Sequence, residues 1–487
     1  MGAFGNTALN LGPLFTGFGQ QVRPLPNIVL PVGNLTFPKQ SPNRSFPTAI
    51  QGGLDGNLVA PIHYSWSFTY ERSLPKGFKL QASYLGRKAR QLLSARDFAG
   101  IANFVDTISG MDWNTAAGQL EAQRSAGVPV ANIAPIPYFQ NLFPANLGAQ
   151  LGCPGANQTQ VVYSLATTSA DGCGSNYGND WTSAQLDLSL LSSKFPGQHI
   201  YYQPQYGTYG AWSSIGKSDY NAVTITIQQR LSNKLTFDFN YTLSKSMDDG
   251  SGLLRDAVTS GAGFLLNPFQ QEDMWAVSDF DTKHIINANA IWQLPFGKGQ
   301  WFGNTNNKWV NAIIGGWQMS GIFRWNSGLP IGTPYDDSRW ATNWNVQSYT
   351  TRLNNNFEAC PTRGIGTVGP KLFGCDPVTA YRSFRNALPG ETGERNVLRL
   401  PGFWTLDMGL AKAFDMPWSE NHKFQARWEV FNVANYQAMG AVDGSRSGYG
   451  LGLDPARRQL SPPSNWSNFT GIQGDRRIMQ FVLRYAF

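Results

Sequence analysis

The sequence predicts an all-β chain: an antiparallel transmembrane β-barrel with long extracellular loops. Three observations point there. The last eleven residues, 477–487, alternate strictly, with Met479, Phe481, Leu483, Tyr485 and Phe487 on one side and Gln480 and Arg484 on the other. That period of two is a strand with two different surroundings. Similar ladders recur upstream, and the connections between them alternate short and long, as short periplasmic turns and long outer loops require. Finally, charged residues make up only 14% of the 487 and aromatics 13%, yet the mean hydropathy is −0.29. No run reaches the ~18 apolar residues of a spanning helix. Barrel strands hide their membrane character in this way, because lipid-facing and lumen-facing residues average out.

In chain order, residues 1–61 are rich in Gly, Pro and Asn and read as a loop, expected to be an extracellular one. Residues 62–487 are the barrel region. His63–Arg72 is the first strand, with Tyr64, Trp66, Phe68 and Tyr70 opposite Ser65, Ser67 and Thr69. Leu74-Pro75-Lys76-Gly77 turns the chain, and Phe78, Leu80, Ala82 and Tyr84 mark the return. A loop over 87–217 contains a short helix near Asn114–Ala126 and one couple of cysteines. Asp219–Leu231 and Leu235–Leu243 form a hairpin about Ser232-Asn233-Lys234. In its second strand Leu235, Phe237, Phe239, Tyr241 and Leu243 oppose Thr236, Asp238, Asn240 and Thr242.

After a loop at 245–281, His284–Leu294 alternates through Ile286, Ala288, Ala290 and Trp292. A medium connection follows, with Pro295-Phe296-Gly297 and a small apolar turn near Trp309–Ile314. Gly316–Asn326 sets Trp317, Met319, Phe323 and Trp325 against Gln318, Ser320, Arg324 and Asn326. Residues 330–402 are loop, Trp404–Phe414 and Phe424–Val433 pair about Pro417-Trp418, and the loop 435–475 leads to the terminal strand.

The alternation also sorts charges. Asp238, Arg324, Asp407, Arg427, Glu429 and Arg484 fall opposite the apolar ladders and are expected to line a wet or plugged lumen. Lys412 falls on the lipid side near a turn, where its ammonium can snorkel. Cys153, Cys173, Cys360 and Cys375 form two local couples in outer loops. Two disulfides in an oxidising compartment fit them, with four free thiols as the alternative. About nine strands are visible. The first would run inward, whereas a complete bacterial barrel has an even number. The chain is therefore expected to be a C-terminal portion. Met1-Gly2-Ala3-Phe4-Gly5 shows no secretory leader, so the leader is expected upstream or already removed.

Other chemistry finds little support. Gly364-Ile365-Gly366-Thr367-Val368-Gly369 matches G-x-G-x-x-G but lacks the strand before and helix after that dinucleotide binding needs. His63, His199, His284 and His422 are far apart, and no H-E-x-x-H or G-x-S-x-G occurs. No enzyme activity, cofactor or metal is expected. Asp248, Asp249, Asp279 and Asp281 flank one loop and could hold Ca²⁺, but solvated strand-end acids are the plainer reading. Trp275, Trp340 and Trp344 with Asp336 and Asp337 are candidate contacts for a sugar or peptide. The net charge of +7 comes from scattered Lys and Arg without a basic run, which argues against nucleic acid.

One succession of short motifs carries more. Ser278-Asp279-Phe280-Asp281-Thr282-Lys283-His284 leads into a strand ending Leu294-Pro295-Phe296-Gly297. Gly315-Gly316-Trp317-Gln318 follows, then Ser327-Gly328-Leu329-Pro330, Arg399-Leu400-Pro401-Gly402-Phe403, and Glu429-Val430-Phe431-Asn432 with Asn435. Over about 60–487 this resembles the C-terminal barrel of Oar-like TonB-dependent receptors. The resemblance implies a bacterial outer-membrane location and a plugged barrel of about 22 strands. It also implies uptake of a large solute (oligosaccharide, peptide or chelate) driven by the TonB complex. The plug and the TonB-contacting segment are not found in this sequence. The terminal aromatic ladder resembles the signal read by the barrel-insertion machinery, which with outer-membrane lipid completes the expected partners. A passive outer-membrane pore and a secreted all-β binding or adhesive protein are the alternatives.

Overall fold

The computed structural model describes residues 50–486 except 168–172, 174–180, 203–207, 230–233, 252–264, 335–347, 356, 358, 363–368, 417–418, 443–445 and 453–460. Nine long strands organise these residues: β1 (Ile62–Leu74), β2 (Phe78–Asp97), β3 (Thr208–Gln229), β4 (Leu235–Asp248), β5 (His284–Gln293), β6 (Trp317–Asn326), β7 (Phe403–Met416), β8 (Ser419–Phe431) and β9 (Ile478–Ala486). They form one sheet in simple sequence order, and every neighbouring pair is antiparallel. The turn after β1 is a tight one at Pro75–Gly77, where Lys76 and Gly77 both take positive φ.

The strands form where alternation is strongest, because β-branched and aromatic side chains fit a pleated surface with two environments. Two strands outrun their alternation. Pairing of β2 with β3 continues past an irregularity at Ala89–Leu93 up to Asp97 opposite Gly210. The connection between them therefore narrows from the expected 87–217 to 98–207. In this upper part Ser94, Ala95, Asp97, Ala211 and Ser213 are all buried. Both sides of the ribbon are covered there, so no two-faced pattern exists to read. A short strand, Ile50–Leu54, adds in parallel to Thr208–Trp212 of β3.

The connection 98–207 carries a core of its own. Helices α1 (Trp113–Ser125), α2 (Pro137–Leu142), α3 (Leu147–Leu151), α4 (Gln158–Thr167) and α5 (Trp181–Leu188) pack around Trp113, Leu120, Tyr138, Phe139, Val162 and Tyr201. The sequence announces only α1, which Asp112 caps by accepting the Thr115 N–H at 2.8 Å. The other helices are short, and α4 is buried from Thr159 to Thr167, which removes the helical period. A disulfide, Cys153–Cys173, closes this cap. A second cluster joins the two later long connections, with Leu372, Phe373, Tyr381, Phe384 and Trp466 at its centre and a Cys360–Cys375 disulfide at its edge.

One buried carboxylate locks the cap. Asp106 accepts bonds from Asn141 Nδ2 at 2.7 Å and Ser109 Oγ at 2.7 Å, and pairs with Lys194. Burial opposes its charge, but these partners outweigh burial and hold its pKa far below the ordinary carboxylate range. A depressed folded pKa gives stability that is complete above the unfolded value, about 4, and is lost as pH falls through the folded one. Acid titration of cap unfolding should show this loss only below about pH 4. Asp106→Asn should cost about 1.5–3 kcal/mol at neutral pH and flatten the acid limb.

Candidate functional site: the two sheet faces and the outer-loop rim

Register divides the sheet into two continuous faces. One row runs Leu80, Ile227, Phe239, Ala288, Phe323, Leu406 across six strands. The row one residue away runs Lys79, Gln228, Asp238, Asn289, Ile322, Asp407. The apolar face stays exposed despite its composition: Tyr64, Phe68, Val223, Trp428, Phe481 and Leu483 all stand open. Monomeric soluble proteins seldom expose an apolar area of that extent.

The opposite face gathers Asp238, Arg324, Asp407, Arg427, Glu429 and Arg484, since all six share its parity through the pairings of β4 to β9. Its polar side chains bond across strands: Thr69 to Ser83 at 3.2 Å, Thr224 to Thr242 at 3.0 Å, Thr226 to Asn240 at 2.7 Å and Gln228 to Asp238 at 2.9 Å. Gln480 and Glu429 do the same. A groove of about 610 Å³ is lined by Asn287, Asn289, Arg324, Asp407 and Glu429 among others. On the apolar side, the Lys412 ammonium reaches the Gly315 carbonyl between the rings of Trp317 and Phe414.

At the end of the sheet that carries the long connections, carboxylates from one loop meet arginines from another. Arg395 Nη2 contacts Asp248 Oδ1 at 2.5 Å and its Nη1 lies 3.4 Å from Asp279 Oδ1. Arg399 Nη2 contacts Asp281 Oδ2 at 2.5 Å, while Asp281 Oδ1 accepts the Ser246 N–H at 2.6 Å. Asp249 accepts the Lys217 N–H at 3.1 Å and a bond from Gln271. Burial raises the Asp249 pKa, and these bonds only partly offset it. The four acids considered for Ca²⁺ are thus engaged by guanidinium groups, amides and side-chain donors. Arg352 with Glu394 and Arg385 with Glu391 extend the rim, each at 2.7 Å.

Of the residues expected to contact ligand, Trp275 lies under the Lys217 ammonium at 5.4 Å, and Lys217 pairs with Glu272 at 2.6 Å. Asp336, Asp337, Trp340 and Trp344 fall outside the described residues, as do Phe487, the Pro417-Trp418 turn and most of the glycine motif at 364–369. Arg399 stands in one of the short motifs of the sequence and Arg395 in none, and neither pairing was readable, because each partner is more than a hundred residues away.

Arg395 and Asp248 are both nearly inaccessible. Removing one partner of such a pair strands the other charge, which costs about 3–5 kcal/mol. Arg395→Ala should therefore loosen the 327–402 connection, read as faster proteolysis there with the sheet still folded. Unchanged cleavage would contradict a latching role.

Three solved structures are similar to the chain at low identity and low TM-score. The outer membrane transporter YddB from Escherichia coli is 7% identical, with 89% of this chain and 33% of that chain covered and a TM-score of 0.33. The ferric-catecholate import receptor Fiu from E. coli K12 is 7% identical, with 88% and 27% covered and a TM-score of 0.31. The ferric enterobactin receptor PfeA from Pseudomonas aeruginosa is 8% identical, with 88% and 31% covered and a TM-score of 0.29. The chain spans about a third or less of the length of these proteins. No curated protein matches it. Residues 6–480 match the outer membrane beta barrel domain, and over that span this antiparallel, two-faced chain belongs to the outer membrane β-barrel domain family.

Proposed function

We propose that this chain is the barrel portion of an Oar-like TonB-dependent receptor that takes up a large solute across the outer membrane. The observation that carries the reading is that the motifs at the long-connection end of the sheet touch one another. Arg399 joins Asp281 and also donates to the Gly328 carbonyl at 3.1 Å. Leu400 N–H donates to the Leu329 carbonyl at 2.9 Å, and the His284 N–H to Ser327 Oγ at 3.1 Å. The Asn432 N–H donates to Asp407 Oδ1 at 2.7 Å, and the Arg477 N–H to Asn435 Oδ1 at 3.0 Å. Short motifs scattered from Ser278 to Asn435 thus meet at the long-connection end of one sheet.

Strand parity supports a larger barrel. With nine antiparallel strands in order, β1 and β9 run in the same direction. An antiparallel barrel closes between them only through an odd number of further strands, which any even total supplies, a barrel of about 22 included. In this reading the apolar face meets lipid and the polar face lines the lumen. The cap and the arginine rim stand outside, where oxidising conditions keep both disulfides. The long connections capture the solute, with Trp275, Asp336, Asp337, Trp340 and Trp344 as contacts, and a plug displaced by the TonB complex opens the lumen.

Two measurements test this. Phe239→Arg should cost about 2–4 kcal/mol if the residue faces mid-bilayer lipid, and Asn240→Arg should cost clearly less; equal tolerance in denaturant titrations would sink the face assignment. The native polypeptide extracted in detergent from washed outer membranes should have a mass well above 53.6 kDa. A mass near that figure would favour the passive pore.

A further inference from the structure

The connection between β5 and β6, residues 294–316, is built inside out. Phe296, Phe302 and Val310 are exposed, and Trp301, Trp309 and Ile313 are 78%, 84% and 71% accessible. The segment is nonetheless tightly folded. Phe296 and Phe302 pack at 5.8 Å, Gly297 N–H bonds the Phe302 carbonyl at 2.9 Å, and Phe302 N–H bonds the Pro295 carbonyl at 3.0 Å. Gly297 takes φ +102°, and a side chain there would strike Asn311 and Gly315. Helix α6 (Lys308–Ile314) is capped by Asn307, whose side chain accepts the Trp309 and Val310 N–H groups. Its polar Asn311 turns inward to accept the Lys298 N–H at 2.7 Å. Trp309 and Ile313, four apart and so on one side, point outward. A helix facing water shows the reverse order.

Its position narrows the surroundings. The connection lies at the sheet end of the tight turns and against the apolar face. Trp317, on that face, donates its indole N–H to the Ile313 carbonyl at 3.0 Å, and Lys412, on the same face, bonds Gly315. The exposed cluster therefore continues the apolar face past its last row. Its charge is one-sided: residues 294–316 contain Lys298 and Lys308 and no Asp or Glu, and Lys234 sits 5.6 Å over Trp301. Aromatic and aliphatic side chains fringed by lysine are the composition of a segment lying in a membrane interface. Indole in particular favours the headgroup level.

We infer that this connection is an interfacial foot, seated in the periplasmic leaflet of the outer membrane. Trp301, Trp309 and Ile313 enter the acyl boundary, and Lys234 and Lys298 meet anionic phospholipid phosphates. The inference rests on the lipid-facing assignment of the apolar face. It predicts a barrel held at fixed depth by a lip on one side rather than by a symmetric aromatic belt.

The test uses the intact native polypeptide reconstituted into vesicles of phosphatidylcholine and phosphatidylglycerol brominated on the acyl chains. All four cysteines of this chain are in disulfides, so with any free cysteine elsewhere in the native polypeptide changed to Ser, Ile313→Cys, Phe239→Cys and Ser320→Cys each accept one environment-sensitive fluorophore. The label at 313 should be quenched by brominated chains, as at 239, and shielded from aqueous iodide, with 320 showing the reverse. Quenching of 313 by iodide alone would place the foot in water and overturn the inference. Protection of 313 from both quenchers would mean a protein or a second copy covers it, which overturns it equally. Loss of bromine quenching at 239 would instead show that the face assignment itself is wrong.

Discussion

Everything in this structure depends on register. A slip of one residue in any strand pair moves its whole apolar set to the other face. From β1 to β9 no such slip occurs within the two-faced region, and the irregularities fall at its margins, near Ala89–Leu93 and Asp415–Met416. Hydrogen-bonded Thr, Asn, Gln and Asp pairs on one face and aromatic pairs on the other, such as Trp428 stacked on Phe481 at 6.0 Å, fix the same alignment twice. Cross-strand pairs of these kinds each contribute about 0.2–1 kcal/mol, and their agreement across eight junctions makes the alternative registers collectively unfavourable.

The rim follows from that alignment. Strands held in register end together, and at their ends backbone groups lose sheet partners. Asp281 accepts from the Ser246 N–H where β5 has left β4, and Asp407 accepts from the Asn432 N–H just beyond β8. Carboxylates in such places meet free donors, and their remaining oxygens recruit guanidinium groups from loops that have no sheet of their own. The long connections are thereby tied to the barrel by charge, while their interiors are held by separate apolar clusters around Trp113 and Trp466. Each cluster has a disulfide in it or at its edge, closing sequence separations of 20 and 15 residues.

The strands of the sheet were legible because each has two different environments, and a period of two survives in the sequence. Phe237, Phe239 and Tyr241 against Asp238 and Asn240 leave no other reading. The cap was not legible beyond α1. A segment such as Val161, Val162, Tyr163, Ser164 and Leu165 is buried on every side, so its helical period vanishes. The upper part of β2 and β3 vanished for the same reason. The rim was half visible: the acids of Ser278–His284 and Arg399 stood in motifs, but their pairing did not show, and Arg395 stood in none, since a loop arginine has no pattern until its partner is known. The apolar stretch at Trp309–Ile314 was visible as a turn. That its apolar side points outward is a fact of packing around Asn311 that no periodicity encodes.

The polar face sharpens what kind of recognition this protein can perform. Its threonines, asparagines and glutamines bond chiefly to one another, and Arg427 lies beside Glu429 at 3.5 Å. The side chains paired in this way have few donors or acceptors left to offer another group. Binding there would exchange one hydrogen bond for another at little net gain. That suits a lumen surface, where tight binding would hinder release. In the proposed uptake role, selectivity would then reside in the long connections, where aromatic and charged side chains, such as Trp275 beneath Lys217, sit on folded clusters rather than on the wall. The division between a wall of short cross-strand bonds and a rim of ion pairs between loops comes from the same alternation that lets the chain sit in the outer membrane.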